Sequence, residues 1–151
     1  MKKEKLERIG KLWFEDMWNI PDFNIADQIV DSNYKPEWIH IAASGSELIK
    51  HEITHFRSIF PDLKQKVIEI NGMTDKVWVR YQANATHRGN AWGFKPTNKE
   101  VEFEAAAILY INDKGQVYDL WEAYCFYEIL EKLGVVPSFY DLHKFFSDFS
   151  K

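Results

Sequence analysis

His87 and Asp119 are the two side chains of this sequence best suited by type and position to move a proton. His87 lies at the end of a predicted strand, and an imidazole, with an ordinary pKa of about 6.5, can accept or donate a proton at neutral pH. Its alternative role is structural, because a buried histidine can hold a neighbouring loop by hydrogen bonds. Asp119 lies near the start of the last predicted strand, and burial would raise the pKa of its carboxyl into a range useful for acid or base catalysis. The alternative for Asp119 is exposure to solvent.

Three further residues are candidates for a binding site. Glu37 stands next to Trp38 in a predicted extended connection. A carboxylate and a ring can together form the mouth of a cavity, although glutamates are more often simply exposed. Cys125 is the only cysteine of the chain, and it is either a small core residue or a reactive thiol.

The segment from His51 to His55 reads H-E-I-T-H and matches the zinc-peptidase signature H-E-x-x-H. Two histidines four residues apart on a helix can bind one metal ion, and the glutamate can then activate water. The extended form of the motif fails, because Ser58 occupies its glycine position and Pro61 its third histidine position. Both histidines also lie well over about 90° from the apolar stripe of the helix. We therefore interpret the segment as the exposed side of a helix and predict no metal site.

The composition excludes several classes of function. The 151 residues have a net charge of −4, with 46% hydrophobic and 28% charged residues, which indicates a single globular domain over residues 1–151. An acidic chain without a cluster of lysines and arginines does not favour nucleic-acid binding. No apolar run approaches the length of about 20 residues that a membrane helix needs. Because the chain has one cysteine and a charged N-terminal segment, we expect a cytoplasmic protein without a disulfide bond.

Periodicity predicts helices in the first part of the chain and strands in the second. Apolar residues recur at helical spacing over residues 3–18, 23–30 and 45–59. Alternation of apolar and polar residues predicts strands over residues 63–70, 77–85, 101–111 and 117–125. A short helix and a C-terminal helical extension over residues 135–151 follow. Helices that precede an antiparallel meander indicate an α+β fold.

The odd-numbered positions of the last three strands are predicted to face the helices. Five of these positions are alanines: Ala83, Ala85, Ala105, Ala107 and Ala123. Because a packed core needs larger side chains at mid-strand, alanines surrounded by rings can leave a cavity for a ligand. Tyr81, Trp121 and Cys125 share this parity, and we expect them to line the cavity. The alternative is that the rings of the first helix fill the space.

The opposite face of the predicted sheet has the character of a protein interface. Trp78 and Arg80 share this face with Ile108, Leu120 and Tyr124. A mixture of aromatic, aliphatic and charged side chains is typical of surfaces that bind another protein. We therefore expect a homodimer through the outer sheet face. The alternative is that another segment, such as the C-terminal helix, covers it.

The order and spacing of several short motifs resemble those of one protein family. The motifs are Phe60-Pro61-Asp62-Leu63, Asp75 to Tyr81, Thr86-His87-Arg88-Gly89, Gly93 with Pro96-Thr97, Asp113 to Val117, Trp121 to Tyr124 and Leu133-Gly134. Over residues 12–134 this pattern resembles the SnoaL-like polyketide cyclases, also called ester cyclases. The resemblance implies the nuclear-transport-factor-2-like (NTF2-like) fold, a cone in which a curved sheet wraps around helices. It also implies closure of a polyketide ring by aldol chemistry without a cofactor, and assembly into dimers or higher oligomers through the outer sheet face.

The sequence departs from the family pattern at two positions. The acid/base aspartate of the family lies four residues after the tryptophan of the last strand, which is the position of Cys125 here. A thiol, with an ordinary pKa of about 8.5, cannot act as the same base without a cationic neighbour. Near Glu37 the family often has a pocket histidine. The pair Thr86-His87 is retained, which makes His87 the first candidate for the proton carrier.

The expected function is binding of a small apolar or aromatic, polyketide-like molecule within the cone. Cofactor-free aldol cyclisation, isomerisation or dehydration would follow. In this hypothesis His87 carries the proton, Asp119 is its partner, and Tyr81 and Trp121 form the walls. Glu37, Trp38 and Cys125 complete the expected binding site. The alternative is a binding or oligomeric accessory module that has lost the family's catalysis.

Overall fold

Helices form the first part of the chain and the segment that follows the sheet. The computed structural model describes residues 1–149, so residues 150 and 151 of the predicted C-terminal extension lie outside the described residues. The helices are α1 (Lys3–Lys11), a π-helix (Leu12–Met17), α2 (Phe23–Ile29), α3 (Gly45–Ile59), α4 (Phe126–Leu133), a 3-10 turn (Phe139–Asp141) and α5 (Leu142–Phe149). Within residues 1–149, none of these helices combines the length and apolar character needed to cross a membrane.

Four antiparallel strands lie between α3 and α4. They are β1 (Lys64–Met73), β2 (Lys76–Thr86), β3 (Glu100–Ile111) and β4 (Val117–Tyr124). The order in the sheet is β1-β2-β3-β4, so each strand pairs with its neighbour in sequence. The predicted α+β fold, with helices before an antiparallel meander, is confirmed.

Alternation along β2 and β3 places one face of the sheet against the N-terminal helices. The odd-numbered positions from Val77 to Ala85 and from Val101 to Ile111 are buried, as predicted. Helix α1 approaches this face closely at Gly10, where a Cβ atom would lie 2.8 Å from the side chain of Ile70. A larger residue at this position would crowd the side chains of Ile70 and Val79, so glycine allows α1 to pack this close to the sheet.

The first predicted helix, residues 3–18, changes character after Lys11 and continues as the π-helix Leu12–Met17. Its wider turn buries Trp13, Phe14 and Met17 together. The Glu15 side chain of the same turn accepts a hydrogen bond from the backbone N–H of Val67 at 2.8 Å. The π-helix therefore fixes two aromatic rings against the sheet.

One extra residue changes the register of β4. Ile111 pairs with Val117, but the preceding Tyr110 pairs with Asp119, which leaves Tyr118 without a partner in β3. Such a bulge places two residues of one strand opposite one residue of the other. Because side chains alternate along a strand, every position after the bulge faces the side opposite to the one predicted.

The bulge overturns the predicted inward face of β4. Leu120 is buried, whereas Trp121 is 48% exposed. Asp119, Ala123 and Cys125 are exposed as well. The prediction that these odd-numbered positions face the helices is therefore wrong beyond Val117, and the even-numbered positions of β4 face inward instead.

Candidate active site

A cavity of about 300 Å³ lies between the N-terminal helices and the inner face of the sheet. Its apolar walls include Trp13, Phe14, Trp18, Trp38, Phe56 and Phe103, and its polar lining consists of Tyr34, Glu52, Gln65, Tyr81, Glu122 and Tyr124. Ligand sites of about 300–1,000 Å³ are usual for small organic molecules, and they combine many apolar groups with few polar ones. This cavity matches that pattern at its lower end, which favours a ligand of one or two rings.

Ring contacts hold the walls of the cavity in place. Phe14 stacks on Tyr81 with ring centroids 4.5 Å apart. Trp13 meets the ring of Tyr34 edge to face at 5.5 Å. Such pairs contribute about 0.5–1.5 kcal/mol each beyond the burial of their area. The walls are therefore prearranged rather than assembled around a ligand.

Glu122 and Tyr81 form the main polar pair of the cavity. The Tyr81 hydroxyl donates a hydrogen bond to Glu122 Oε1 at 2.5 Å. Burial raises the pKa of the Glu122 carboxyl above its ordinary value, and the hydrogen bond from Tyr81 offsets part of that effect. Burial, followed by the negative charge of Glu122, raises the pKa of Tyr81 well above its ordinary value. The tyrosine therefore keeps its proton, while the raised pKa makes the carboxyl a stronger base than an ordinary glutamate.

The pKa values of two more tyrosines are raised by burial and by the charge of Glu122. Burial and the charge of Glu122 raise the pKa of Tyr34 and that of Tyr124. Both therefore stay protonated at neutral pH, as hydrogen-bond donors. Glu52, the second carboxylate of the lining, is half-buried, with 34% of its side chain accessible.

The structure brings only two of the sequence-predicted site residues into the cavity lining. Tyr81 and Trp38 lie there, as expected. Glu37 is exposed and is not part of the lining. Trp121 and Cys125 lie on the outer side because of the bulge in β4.

Asp119 and His87 do not meet each other or the cavity. Asp119 is exposed, and its Oδ1 accepts a hydrogen bond from the backbone N–H of Leu120 at 2.9 Å. His87 is only 1% exposed, as its odd-numbered position predicts, but it is absent from the cavity lining. Its Nδ1 lies 3.1 Å from Thr97 Oγ1 and 3.3 Å from the Thr97 backbone nitrogen. This is the loop-holding arrangement that the sequence left open as the alternative.

The buried alanines do not line the cavity either. Ala83, Ala85, Ala105 and Ala107 are all buried under the helices and are absent from its walls. Small side chains here let the rings of the N-terminal helices approach the sheet, and the rings then surround the open space. The open space predicted at the alanines is therefore not part of this cavity.

Glu122, Gln65 and Tyr34 are lining residues that the sequence reasoning missed. Glu122 is not among the predicted inward positions of β4, because the bulge at Tyr118 has no clear signal in an alternating run. A carboxylate flanked by large apolar residues in a strand is a sign of burial beside a partner, and that signal was present at Leu120 to Tyr124.

The H-E-x-x-H segment lies on α3 with both histidines exposed, as the helical wheel predicts. The rings of His51 and His55 are parallel, with centroids 6.4 Å apart. Among the residues that the structure describes, no group of three or more histidine, cysteine, aspartate or glutamate side chains is arranged to hold a metal ion. Glu52 instead lines the cavity from the same helix.

Asp62 anchors the end of β2 next to His87. Its two carboxylate oxygens accept the backbone N–H of Thr86 at 2.7 Å and the Thr86 hydroxyl at 2.5 Å. Burial acts to raise the pKa of this carboxyl, but the two hydrogen bonds from Thr86 outweigh it and hold the pKa below its ordinary value. The charged form of Asp62 therefore stabilises the folded state.

We expect Asp62→Asn to lower the free energy of unfolding by about 1 kcal/mol at pH 7, because it weakens two hydrogen bonds to a partly screened charge. A depressed native pKa contributes stability above the unfolded pKa of about 3.9, and that contribution is lost as the pH falls. The difference in the free energy of unfolding between Asp62→Asn and wild type, measured by urea unfolding, should therefore shrink below about pH 4. The exposed Asp113→Asn serves as control, and an equal loss at pH 7 and pH 3 would contradict the assignment.

The fold and the cavity together define a class of protein. A curved antiparallel sheet wrapped around N-terminal helices, with an aromatic cavity between them, is the NTF2-like cone. TsrD from Streptomyces laurentii has this fold with a TM-score of 0.81 and 16% identity, over 90% of this chain and 99% of TsrD. AclR from Streptomyces galilaeus has a TM-score of 0.69 and 26% identity, over 88% of this chain and 85% of AclR. A SnoaL-like polyketide cyclase from Agrobacterium tumefaciens has a TM-score of 0.71 and 18% identity, over 89% of this chain and 100% of its own.

The amino-acid sequence itself assigns the chain to a protein family. The sequence profile of the SnoaL-like polyketide cyclases matches residues 10–133. The chain therefore belongs to the SnoaL-like polyketide cyclase family, which confirms the resemblance predicted from its motifs. None of the curated protein sequences compared with this chain matches it significantly.

Proposed function

We propose that this protein binds a small aromatic or apolar, polyketide-like molecule in its cavity and transfers a proton within it. The observation that carries the proposal is the pair of Glu122 and Tyr81, joined at 2.5 Å inside a mainly aromatic cavity. A carboxyl whose pKa is raised by burial in apolar surroundings is suited to accept a proton as a base and then return it as an acid. The family relationship and the rings of the walls support the ligand class.

The proposed reaction needs only the side chains of the cavity and no cofactor. Ionised Glu122 takes a proton from a carbon next to a carbonyl, which leaves an enolate. The enolate carbon attacks a second carbonyl carbon of the same molecule, a carbon–carbon bond forms, and Glu122 returns its proton to the new alkoxide oxygen. Tyr81 keeps its hydroxyl proton and orients the carboxylate by its hydrogen bond. Isomerisation or dehydration would use the same proton transfers.

A generic carbon acid tests this base without knowledge of the natural substrate. 5-Nitrobenzisoxazole is a bicyclic aromatic compound whose ring opens to a coloured phenolate when a base removes its C–H proton. We expect catalysis whose rate rises with pH through the pKa of Glu122, above the value of about 4.3 of an ordinary glutamate. A rate no higher than that of an equal concentration of acetate would contradict the proposed function.

The alternative is a binding module without catalysis. The observation that favours it is Cys125, which stands at the position of the family's acid/base aspartate and is exposed here. The same experiment separates the two functions. A binding module would bind aromatic bicyclic compounds and leave 5-nitrobenzisoxazole intact.

We further propose that two copies associate through the outer sheet face. Trp121 and Tyr118 are exposed on β4, and Trp121 lies beside its cross-strand partner Ile108. A two-fold interface can bury the same aromatic patch on both copies. We expect a dimer at micromolar concentration by light scattering, and a monomer for Trp121→Arg. Ile20→Arg, an exposed site outside the sheet, should leave the dimer intact, and a monomeric wild type would contradict the proposal.

A further inference from the structure

The exposed members of the cavity lining mark the mouth of the cavity. Trp38 is 51% exposed and Tyr124 is 45% exposed, and 34% of the Glu52 side chain is accessible. The rings deeper in the cavity are buried, with Trp13 and Phe14 only 1% and 2% exposed. The cavity therefore opens to solvent between Trp38, Glu52 and Tyr124.

Two of these three residues are fixed at the mouth by their neighbours. The ring centroid of Tyr124 lies 6.1 Å from that of Phe103 and 6.4 Å from that of Phe126. Glu52 belongs to the long helix α3, and its Oε1 lies 3.5 Å from Nδ1 of His51. Neither side chain can leave the mouth without losing these contacts.

Trp38 has no comparable support. Within residues 1–149 its indole takes part in no ring pair, hydrogen bond or cation–π contact, whereas each of the other rings of the lining packs against at least one further ring. Exposed side chains with few contacts change rotamer readily. The Trp38 indole is therefore the part of the cavity wall that can move at the lowest cost.

The backbone that carries Trp38 is anchored on both sides of the indole. The Gly45 N–H donates to the Tyr34 carbonyl oxygen at 2.8 Å, which ties the two ends of the loop together. Inside the loop the Ile39 N–H donates to the Pro36 carbonyl oxygen at 3.1 Å and closes a turn, with Trp38 at its third position. Compact loops with closely spaced ends are frequently functional. This loop holds the Trp38 backbone beside the cavity and leaves the side chain as the movable part.

We propose that Trp38 is the gate of the cavity: its indole closes the mouth and swings aside when a molecule enters or leaves. The inference rests on the proposed function, because it requires that a small aromatic molecule enters this cavity. It adds the residue that controls entry and release. A closed gate also excludes water from the buried Glu122 carboxyl, and Trp38 itself takes no part in the proton transfer.

Stopped-flow binding of prodan tests the gate. Prodan is a naphthalene ketone whose fluorescence changes with the polarity of its surroundings. A gate slows association, because only the open position admits the molecule, so we expect Trp38→Ala to bind prodan about tenfold faster than wild type. Dissociation should accelerate by at least the same factor, since no ring closes behind the bound molecule. Trp38→Phe has a smaller ring, and its rates should lie between those of Trp38→Ala and wild type.

Phe56→Leu is the matched control for a fixed wall. Phe56 also lines the cavity, but its ring centroid lies 6.0 Å from that of Trp18 and 5.1 Å from that of Phe60. Loss of a fixed contact weakens the hold on the bound molecule without clearing its path. Phe56→Leu should therefore accelerate dissociation and leave association unchanged.

The outcomes separate the gate from the proposed function. If Trp38→Ala and wild type bind prodan with the same association rate, or if Phe56→Leu accelerates association as much as Trp38→Ala does, the gate is contradicted and the proposed function stands. If prodan binds neither wild type nor any variant, both are contradicted. Should Trp38→Ala not fold, Trp38→Phe decides, and an association rate equal to that of wild type would overturn the gate.

Discussion

Replacement of Glu122 by glutamine is expected to lower the rate of 5-nitrobenzisoxazole opening at least about 100-fold, which is the usual contribution of a positioned general base. The amide keeps the size of the side chain and can still accept a hydrogen bond from Tyr81, but it cannot take a proton. The pH dependence of the rate should also disappear, since it reflects the ionisation of Glu122. Initial rates between pH 5 and pH 9 would measure both effects.

Two other carboxylates make the result specific to Glu122. Glu100→Gln, at the exposed start of β3, is the matched control and should leave the rate unchanged. Glu52→Gln tests the second carboxylate of the cavity, and we expect a much smaller effect because the hydrogen bond from Tyr81 orients Glu122 and not Glu52. A loss of activity in Glu52→Gln equal to that in Glu122→Gln would contradict the assignment of Glu122 as the base.

The buried Glu122 carboxylate lowers the free energy of unfolding, and the Glu122→Gln variant should reveal this effect. Burial raises its pKa, so the folded state binds a proton more tightly than the unfolded state does. The stability that the protonated Glu122 carboxyl contributes is then fully present below the unfolded pKa of this group, and it is lost as the pH rises through the folded pKa. Glu122→Gln should therefore gain stability over wild type at pH 8 and lose that gain at pH 4. A site that gains stability when its catalytic group is removed is typical of a functional carboxylate.

The sequence predicted the sheet more accurately than the site, and the reason lies in a single residue. Strict alternation over β2 and β3 reflects burial on one face only, so their inward positions follow directly from the pattern. Tyr118 adds one residue to β4, and no rule of alternation predicts where such a bulge falls. Trp121 consequently lies on the outer face and Glu122 on the inner face, the reverse of what alternation alone predicts.

His87 shows a second limit of reasoning from parity. Its position on the inner side of β2 is predicted correctly, and the ring is buried. Parity does not specify where along the strand the cavity lies or which neighbour takes the imidazole. The hydroxyl and the backbone nitrogen of Thr97, ten residues further along the chain, supply that neighbour, and the alternation of the strand does not encode how the loop returns to the ring.

Phe14→Ala is expected to lower the free energy of unfolding by about 3–5 kcal/mol, the usual cost of removing a buried phenylalanine ring. Phe14 is 2% exposed and stacks on Tyr81 at 4.5 Å. Its deletion removes apolar burial and leaves a space beside an existing cavity, which the rigid walls cannot close. Chemical denaturation at pH 7 would measure the loss, and Phe139→Ala, an exposed ring outside the core, should stay within about 0.5 kcal/mol of wild type.

The same variant distinguishes a rigid wall from one that collapses. If the neighbouring rings hold their positions, the vacated space stays open, and a small apolar molecule such as toluene should bind there and raise the stability of Phe14→Ala more than that of wild type. If the wall collapses instead, the loss of stability falls below about 2 kcal/mol and toluene has no selective effect. The hydrogen bond from Tyr81 to Glu122 depends on the ring support that Phe14 gives, so a rigid wall is also what keeps the proposed base in position.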